Sequence, residues 1–238
     1  MIVGVFLGIV GDHYGLFPRA QFIAIKRIFI EGSVLRPTDW PTQNPFWKER
    51  AATYDKFRRQ VDIVMIGDSR MNGGEWQEVF PNVRVASRGI GGDTTYGVLS
   101  RLGGIKKTGA RTALIMVGIN DILGGRKVEE VLANYRQILA TLKQFGMRVV
   151  IQSTVQTNGR NDDKAHHEKT NSEIRKLNAG LRQIAEESGT TFVDLDGLFS
   201  NSQGLNDELT TDGIHFNSKG YDLWYKCVDE YMKLSNEN

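Results

Sequence analysis

From about residue 60 onward, the apolar positions of this chain follow two alternating patterns. Residues 61–66 form a largely apolar run ended by Gly67, residues 113–117 (ALIMV) form another ended by Gly118, and residues 147–151 and 191–195 repeat the theme. Residues 83–86 are a weaker run of the same kind. Short apolar runs of this length, closed by glycine, predict strands buried on both faces of a parallel sheet. Between them the spacing changes. Val128, Val131, Leu132, Tyr135, Ile138, Leu139 and Leu142 recur at steps of three and four, the single apolar face of a helix, with Gly146 as its stop. Ile174, Leu177, Leu181 and Ile184 predict a second helix closed by Gly189. A last helix carries Tyr221, Trp224, Tyr225 and Val228 on one side, with Ser218 as the expected cap. Five strands with intervening helices predict an α/β fold, a parallel sheet covered on both faces, whose functional loops lie beyond the carboxyl ends of the strands.

Residues 1–60 break this rhythm. Pro37, Pro41 and Pro45 fall within ten residues, three of the five prolines in the chain, and predict a linker or an ordered extended arm. Residues 1–10 are almost wholly apolar, but a membrane span needs about 20 such residues, and the basic region of a secretory signal is missing. Two readings stay open for them, a core or interfacial segment and the tail of a longer anchor. Residues 22–30 fit an interfacial helix on a membrane or a partner, and equally a packed helix. The expected organisation is therefore an N-terminal extension, residues 1–59, with peripheral membrane contact through residues 1–30, followed by a catalytic domain, residues 60–238. The compartment follows from that extension: cytoplasmic, or membrane-tethered and periplasmic if residues 1–10 end an anchor.

Composition narrows the partners more than the fold. Forty per cent apolar residues among 238 is enough for a sizeable core. A net charge of +2 gives no global reason for nucleic-acid binding. The charge is uneven, since residues 1–60 hold nine Lys/Arg against five Asp/Glu. The single cysteine, Cys227, cannot form an internal disulfide and reads as a small apolar residue of the last helix.

The chemistry is carried by four short segments. Gly67-Asp68-Ser69 places a serine just after a strand, where its hydroxyl is exposed and its backbone N–H opens a helix. Serine needs a base to act as a nucleophile. The alternative for Ser69 alone is a helix cap for residues 74–79. Of the four histidines, His13 lies in the N-terminal arm, and His166 and His167 lie in a polar stretch, 158–170, that predicts a solvated loop. His215 differs, because Asp212 precedes it by three residues and can hold its Nδ1–H while Nε2 accepts a proton. Donors for an oxyanion are the N–H of Ser69, an N–H of the turn 89–94 and the side-chain amide of Asn120. That glycine-rich turn lacks the spacing of a nucleotide-binding loop, and Asp93 in it reads as a helix cap. No cofactor and no metal site are implied.

The order G-D-S, glycine turn, G-x-N-D and D-x-x-H resembles the SGNH hydrolases, also called GDSL esterases/lipases, over residues 60–233. The resemblance implies a flavodoxin-like three-layer α/β/α sandwich. It implies Ser69 as nucleophile, His215 as base, Asp212 as its orienter, and Ser69, Gly92 and Asn120 as the oxyanion hole. The run GIGGDT looks most like members related to platelet-activating-factor acetylhydrolase and bacterial acetylesterases. Two positions depart from the pattern: Arg70 stands where leucine is usual, and Ser87 where many members have asparagine. Arg70 is an expected substrate contact, with a structural ion pair as the alternative. The implied activity is hydrolysis of short-chain, chiefly acetyl, carboxylic esters on a small molecule or glycan. O-acetyl transfer to a polysaccharide, lysophospholipase and thioesterase activity use the same parts. A metal-dependent phosphoesterase built on Asp68, Asn120, Asp212 and His215 and a non-catalytic binding module are the more distant alternatives.

Overall fold

The structure is a computed structural model that describes residues 40–57, 59–160 and 164–233. The described residues all fall in one compact unit, which begins at Thr38. Residues 40–57, which precede the expected boundary at residue 60, fall in the same unit as the sheet. The segments expected to meet a membrane, and His13, lie outside the described residues. Among the described residues no helix is long and apolar enough to cross a membrane.

In chain order the elements are α1 (Trp40–Gln43), α2 (Pro45–Lys56), β1 (Ile63–Gly67), α3 (Ser69–Asn72), α4 (Trp76–Val79), β2 (Val85–Gly89), α5 (Thr95–Ser100) and α6 (Leu102–Lys106). They continue with β3 (Thr112–Met116), α7 (Ile119–Leu123), α8 (Val128–Gln144), β4 (Arg148–Gln152), α9 (Lys164–Ser188), β5 (Thr191–Val193) and α10 (Asp196–Phe199). A two-stranded hairpin of β6 (Ser200–Asn201) and β7 (Gly204–Leu205), a 3-10 turn (Asp207–Leu209) and α11 (Ser218–Lys233) complete the unit.

The five principal strands are all parallel in the order β2-β1-β3-β4-β5. This is the flavodoxin-like winding, and the order reverses at β1, between β2 and β3. Successive side chains of a strand point to opposite faces, and here both faces are buried. Val64 and Ile66 of β1 join Ala113 and Ile115 of β3 in a core closed by α8 and α9. Ile63 and Met65 join Leu114 and Met116 in a second core closed by Trp76, Phe199 and α11. The two faces explain why β1, β3 and the centre of β4 read as apolar runs.

Four local expectations are corrected. The arm around Pro41 and Pro45 is helical from Trp40 onward: Asn44 caps α2 by accepting from Phe46 N–H at 2.9 Å, and Pro45 occupies the first turn, where its missing N–H costs nothing. The stretch expected as a solvated loop around His166 and His167 is the beginning of α9. The cap of α11 is Asn217, whose Oδ1 accepts from Gly220 N–H at 3.0 Å, and Ser218 is the first helical residue. The cap of α5 is Thr94, accepting from Gly97 N–H at 3.2 Å, and not Asp93.

Candidate active site

β1, β2 and β3 deliver three loops to one end of the sheet. After β1 the chain must turn sharply beside β3, and only glycine fits: a Cβ on Gly67 would collide with the carbonyl oxygen of Met116. Asp68 then caps α3 by accepting from Arg70 N–H at 3.0 Å, which makes Ser69 the first residue of that helix. Burial pushes the Asp68 carboxyl up to about 6, against the pull of Arg70.

Ser69 Oγ lies 2.9 Å from His215 Nε2, across 146 residues of chain. On the far side of the ring, His215 Nδ1 lies 2.7 Å from Asp212 Oδ2. The other carboxylate oxygen, Asp212 Oδ1, accepts from the backbone N–H of Ile214 at 2.9 Å and of His215 at 2.8 Å. Partial burial works to raise the Asp212 carboxyl, but these hydrogen bonds, led by the one from His215, hold it below the usual carboxylate range. A carboxylate fixed at both oxygens sets the ring's orientation and its tautomer. The loop itself is tied down by Thr210, whose Oγ donates to His215 O at 2.6 Å and accepts from Gly213 N–H at 2.9 Å.

The turn after β2 is closed by Asp93 N–H donating to Ile90 O at 3.1 Å, with Gly92 at φ +74°. Asn120 follows β3 on α7, and its Nδ2 donates to the carbonyl oxygen of Asp93 at 2.9 Å. Asp93 is wholly buried. Its Oδ1 accepts from Trp47 Nε1 at 2.8 Å and from Thr94 N–H at 3.0 Å, and its Oδ2 pairs with Arg101 at 2.8 Å. Burial pushes this carboxyl up, and Arg101 and Trp47 oppose the shift. Asp121 is buried in the same way, accepts from Thr95 N–H and Oγ–H at 2.9 and 2.8 Å, and is pushed up to about 6.

The expected site residues Ser69, Asp212 and His215 therefore meet in one hydrogen-bonded chain, and the turn of Gly92 is linked to Asn120 through Asp93. Arg70 does not join them as a substrate contact. Its guanidinium is fully buried and donates to three backbone carbonyls, Ile214 at 2.7 Å, Val155 at 2.6 Å and Gln156 at 3.2 Å. No face of it is left to meet a ligand, and the correction follows from burial. His167 Nε2 lies 3.0 Å from Thr157 O and 2.8 Å from Asn171 Nδ2, which ties α9 to the loop after β4. Among the described residues no three His, Cys, Asp or Glu side chains form a metal-ligand group. Trp47 is not legible as part of the site, since it stands in residues 1–60, outside the strand–helix alternation. The Asn44-Pro45 pair, a cap followed by a first-turn proline, is the signal that marks its helix.

The chain is similar to several known proteins. N-acylneuraminate cytidylyltransferase of Streptococcus agalactiae serotype V is 24% identical over 75% of this chain, and the chain spans only 41% of that protein's length. Platelet-activating factor acetylhydrolase IB subunit alpha2 of Rattus norvegicus is 27% identical over 75% of this chain and 80% of its own. Isoamyl acetate-hydrolyzing esterase of Saccharomyces cerevisiae is 28% identical over 63% and 68%. The solved structure of a GDSL-like lipase from Bacteroides thetaiotaomicron superposes with a TM-score of 0.68, at 21% identity, over 79% of this chain and 97% of its own. The model of the GDSL-like lipase/acylhydrolase family matches residues 65–223, a span that takes in Ser69, Gly92, Asn120, Asp212 and His215. By that match, the chain belongs to the GDSL-like lipase/acylhydrolase family.

Proposed function

We propose that the protein is a serine esterase that hydrolyses short-chain carboxylic esters, acetyl esters foremost, through an acyl-enzyme on Ser69. The observation that carries the reading is the unbroken chain Ser69 Oγ to His215 Nε2 at 2.9 Å and His215 Nδ1 to Asp212 at 2.7 Å. His215 Nε2 takes the Ser69 proton as Oγ bonds to the ester carbonyl carbon. The carbonyl oxygen becomes an anion that the N–H groups of Ser69 and Gly92 and the free N–H of the Asn120 amide stabilise. The anion collapses, the carbon–oxygen bond to the alcohol breaks, and His215 returns the proton to the departing alkoxide. Water then repeats the attack on the acyl-serine, with His215 again as base, and releases the acid. Asp212 stays a carboxylate throughout and steadies the imidazolium. Two relatives whose names specify acetyl esters support the short acyl group.

The test is turnover of p-nitrophenyl acetate, butyrate and octanoate by the purified protein and by Ser69→Ala. Wild type is expected to prefer acetate or butyrate, and Ser69→Ala to lose turnover with an unchanged circular-dichroism spectrum. Full activity in Ser69→Ala overturns the serine mechanism. A preference for octanoate overturns the short-chain assignment and leaves the mechanism standing.

A further inference from the structure

We propose that Trp47 is a positioning residue of the oxyanion hole, its indole N–H fixing the direction of the Asn120 amide through Asp93. The proposal rests on the assignment of Asn120 as an oxyanion donor. Trp47 lies on α2, outside the residues 65–223 that match the family model.

Asp93 is the residue immediately after Gly92, and both its carboxylate and its peptide are held. The indole of Trp47, itself 6% exposed, donates to Oδ1 at 2.8 Å, and Arg101 Nε donates to Oδ2 at 2.9 Å from the opposite side. The carbonyl oxygen of the same residue receives the Asn120 side chain at 2.9 Å. The two side-chain anchors thus fix the Asp93 peptide, and that peptide fixes which way Asn120 presents its remaining N–H. The hub has no slack. A Cβ on Gly97 would collide with Asp93 Oδ1, so the carboxylate fills its space against α5. Arg101 also donates to Gly67 O at 3.3 Å, which joins the hub to the turn that carries Ser69.

α2 is itself fastened to this turn along its length. Trp47 and Tyr54 pack on Ile90, and Tyr54 Oη–H donates to Gly89 O at 3.0 Å. The helix thus grips β2 and its turn at residues 89, 90 and 93. Donors that stabilise a developing oxyanion are effective because they are aimed before the charge forms. Removing the indole N–H leaves Asp93 Oδ1 with the Thr94 N–H as its one remaining donor in a dry environment, so the Asp93 peptide is held less firmly. The aim of Asn120 loosens with it, while substrate binding in the ground state is unaffected.

The experiment is a double-mutant cycle on ester turnover with Trp47→Phe, Asn120→Ala and the pair. Phenylalanine keeps an aromatic ring against Tyr54 and Ile90 and removes only the donor. Trp47→Phe is expected to lower kcat about tenfold with KM within about twofold, less than the 10²–10³ that loss of a whole donor costs. In the Asn120→Ala background the same substitution is expected to cost nothing further, since its effect passes through an amide no longer present. An equal loss in both backgrounds, or no loss in either, overturns the proposal. If Asn120→Ala itself leaves kcat unchanged, the oxyanion assignment of Asn120 fails first and takes the proposal with it. Should Trp47→Phe not fold, incorporation of the benzothiophene analogue of tryptophan at position 47 removes the N–H with the bicyclic shape intact. The same kcat loss, and its absence in the Asn120→Ala background, are then expected.

Discussion

Arg70 Nε–H donates to the carbonyl oxygen of Ile214 at 2.7 Å, so the residue after Ser69 holds the residue before His215. The same guanidinium lies 5.2 Å from the ring centre of Phe216, the residue after His215. Ser69 and His215 come from opposite ends of the catalytic unit, and their 2.9 Å contact is kept by this clamp between their neighbours. The clamp is charged and wholly buried, a costly arrangement that persists because three carbonyls satisfy it.

Replacing Arg70 by leucine is accordingly expected to destabilise the fold by about 3 kcal/mol or more, as three buried carbonyls lose their donor. For a domain of this size that corresponds to a fall of roughly 6–12 °C in Tm, measurable by differential scanning calorimetry. Residual activity should fall equally on neutral and anionic esters. A loss confined to anionic esters would restore Arg70 as a substrate contact.

Asp212→Asn separates orientation from charge. Asparagine keeps an oxygen for the N–H groups of Ile214 and His215, so the loop should survive and Tm change little. Its amide, facing His215 Nδ1, offers a donor where an acceptor is needed and favours the wrong tautomer. At neutral pH kcat is expected to fall by about 10²–10⁴ with KM little changed. A loss smaller than about tenfold would mean that His215 keeps its orientation without a carboxylate.

The sheet is legible where its strands are buried on both faces, so β1, β3 and the centre of β4 show as apolar runs. β2 was faint for a physical reason. It carries Ser87 and Arg88, and the Arg88 guanidinium is covered by the ring of Tyr54 from α2, 4.8 Å away, instead of by apolar neighbours along the sheet. The start of α9 predicts a loop because its first two turns are polar and the apolar spacing begins only at Ile174. The residues Ser69, Asp212 and His215 stood out through chemistry and order. The roles of Arg70, Asp93 and Trp47 are not legible there, because they depend on backbone carbonyls or on side chains brought together by the fold, which no local pattern records.

The two glycines beside the nucleophile are required for different reasons, and substitution distinguishes them. Gly92 has φ +74°, but a Cβ there would meet nothing within 4 Å, so only backbone conformation resists change. Gly92→Ala is expected to cost about 1–2 kcal/mol, and Gly92→Asn less, because asparagine tolerates that region. Gly67 is limited by contact, and Gly67→Ala should yield little folded protein, since its Cβ would strike the Met116 carbonyl. Urea unfolding of the three variants checks the ranking. Equal losses for alanine and asparagine at position 92 would mean that space, not conformation, selects glycine there.

Asp68 gives the fold a pH dependence with a definite sign. Burial raises its carboxyl from 3.8 in the unfolded chain to about 6 in the folded one. Between those values the folded state binds more protons than the unfolded state, so stability falls as pH rises through the window. Above about pH 6 the charge is carried in full and the penalty is complete; below about pH 4 both states are protonated and it vanishes. The size follows from the shift, at most about 3 kcal/mol at 1.36 kcal/mol per pKa unit. Asp68→Asn removes the titration and keeps an acceptor for Arg70 N–H. Asp121, which titrates in the same window, is common to both proteins and cancels from their difference. The stability of Asp68→Asn relative to wild type, from urea unfolding, is therefore expected to decline as the pH is lowered from 7 to 4. A difference that stays constant over that range would mean that Asp68 keeps its ordinary carboxylate titration in the folded state, stabilised there by Arg70.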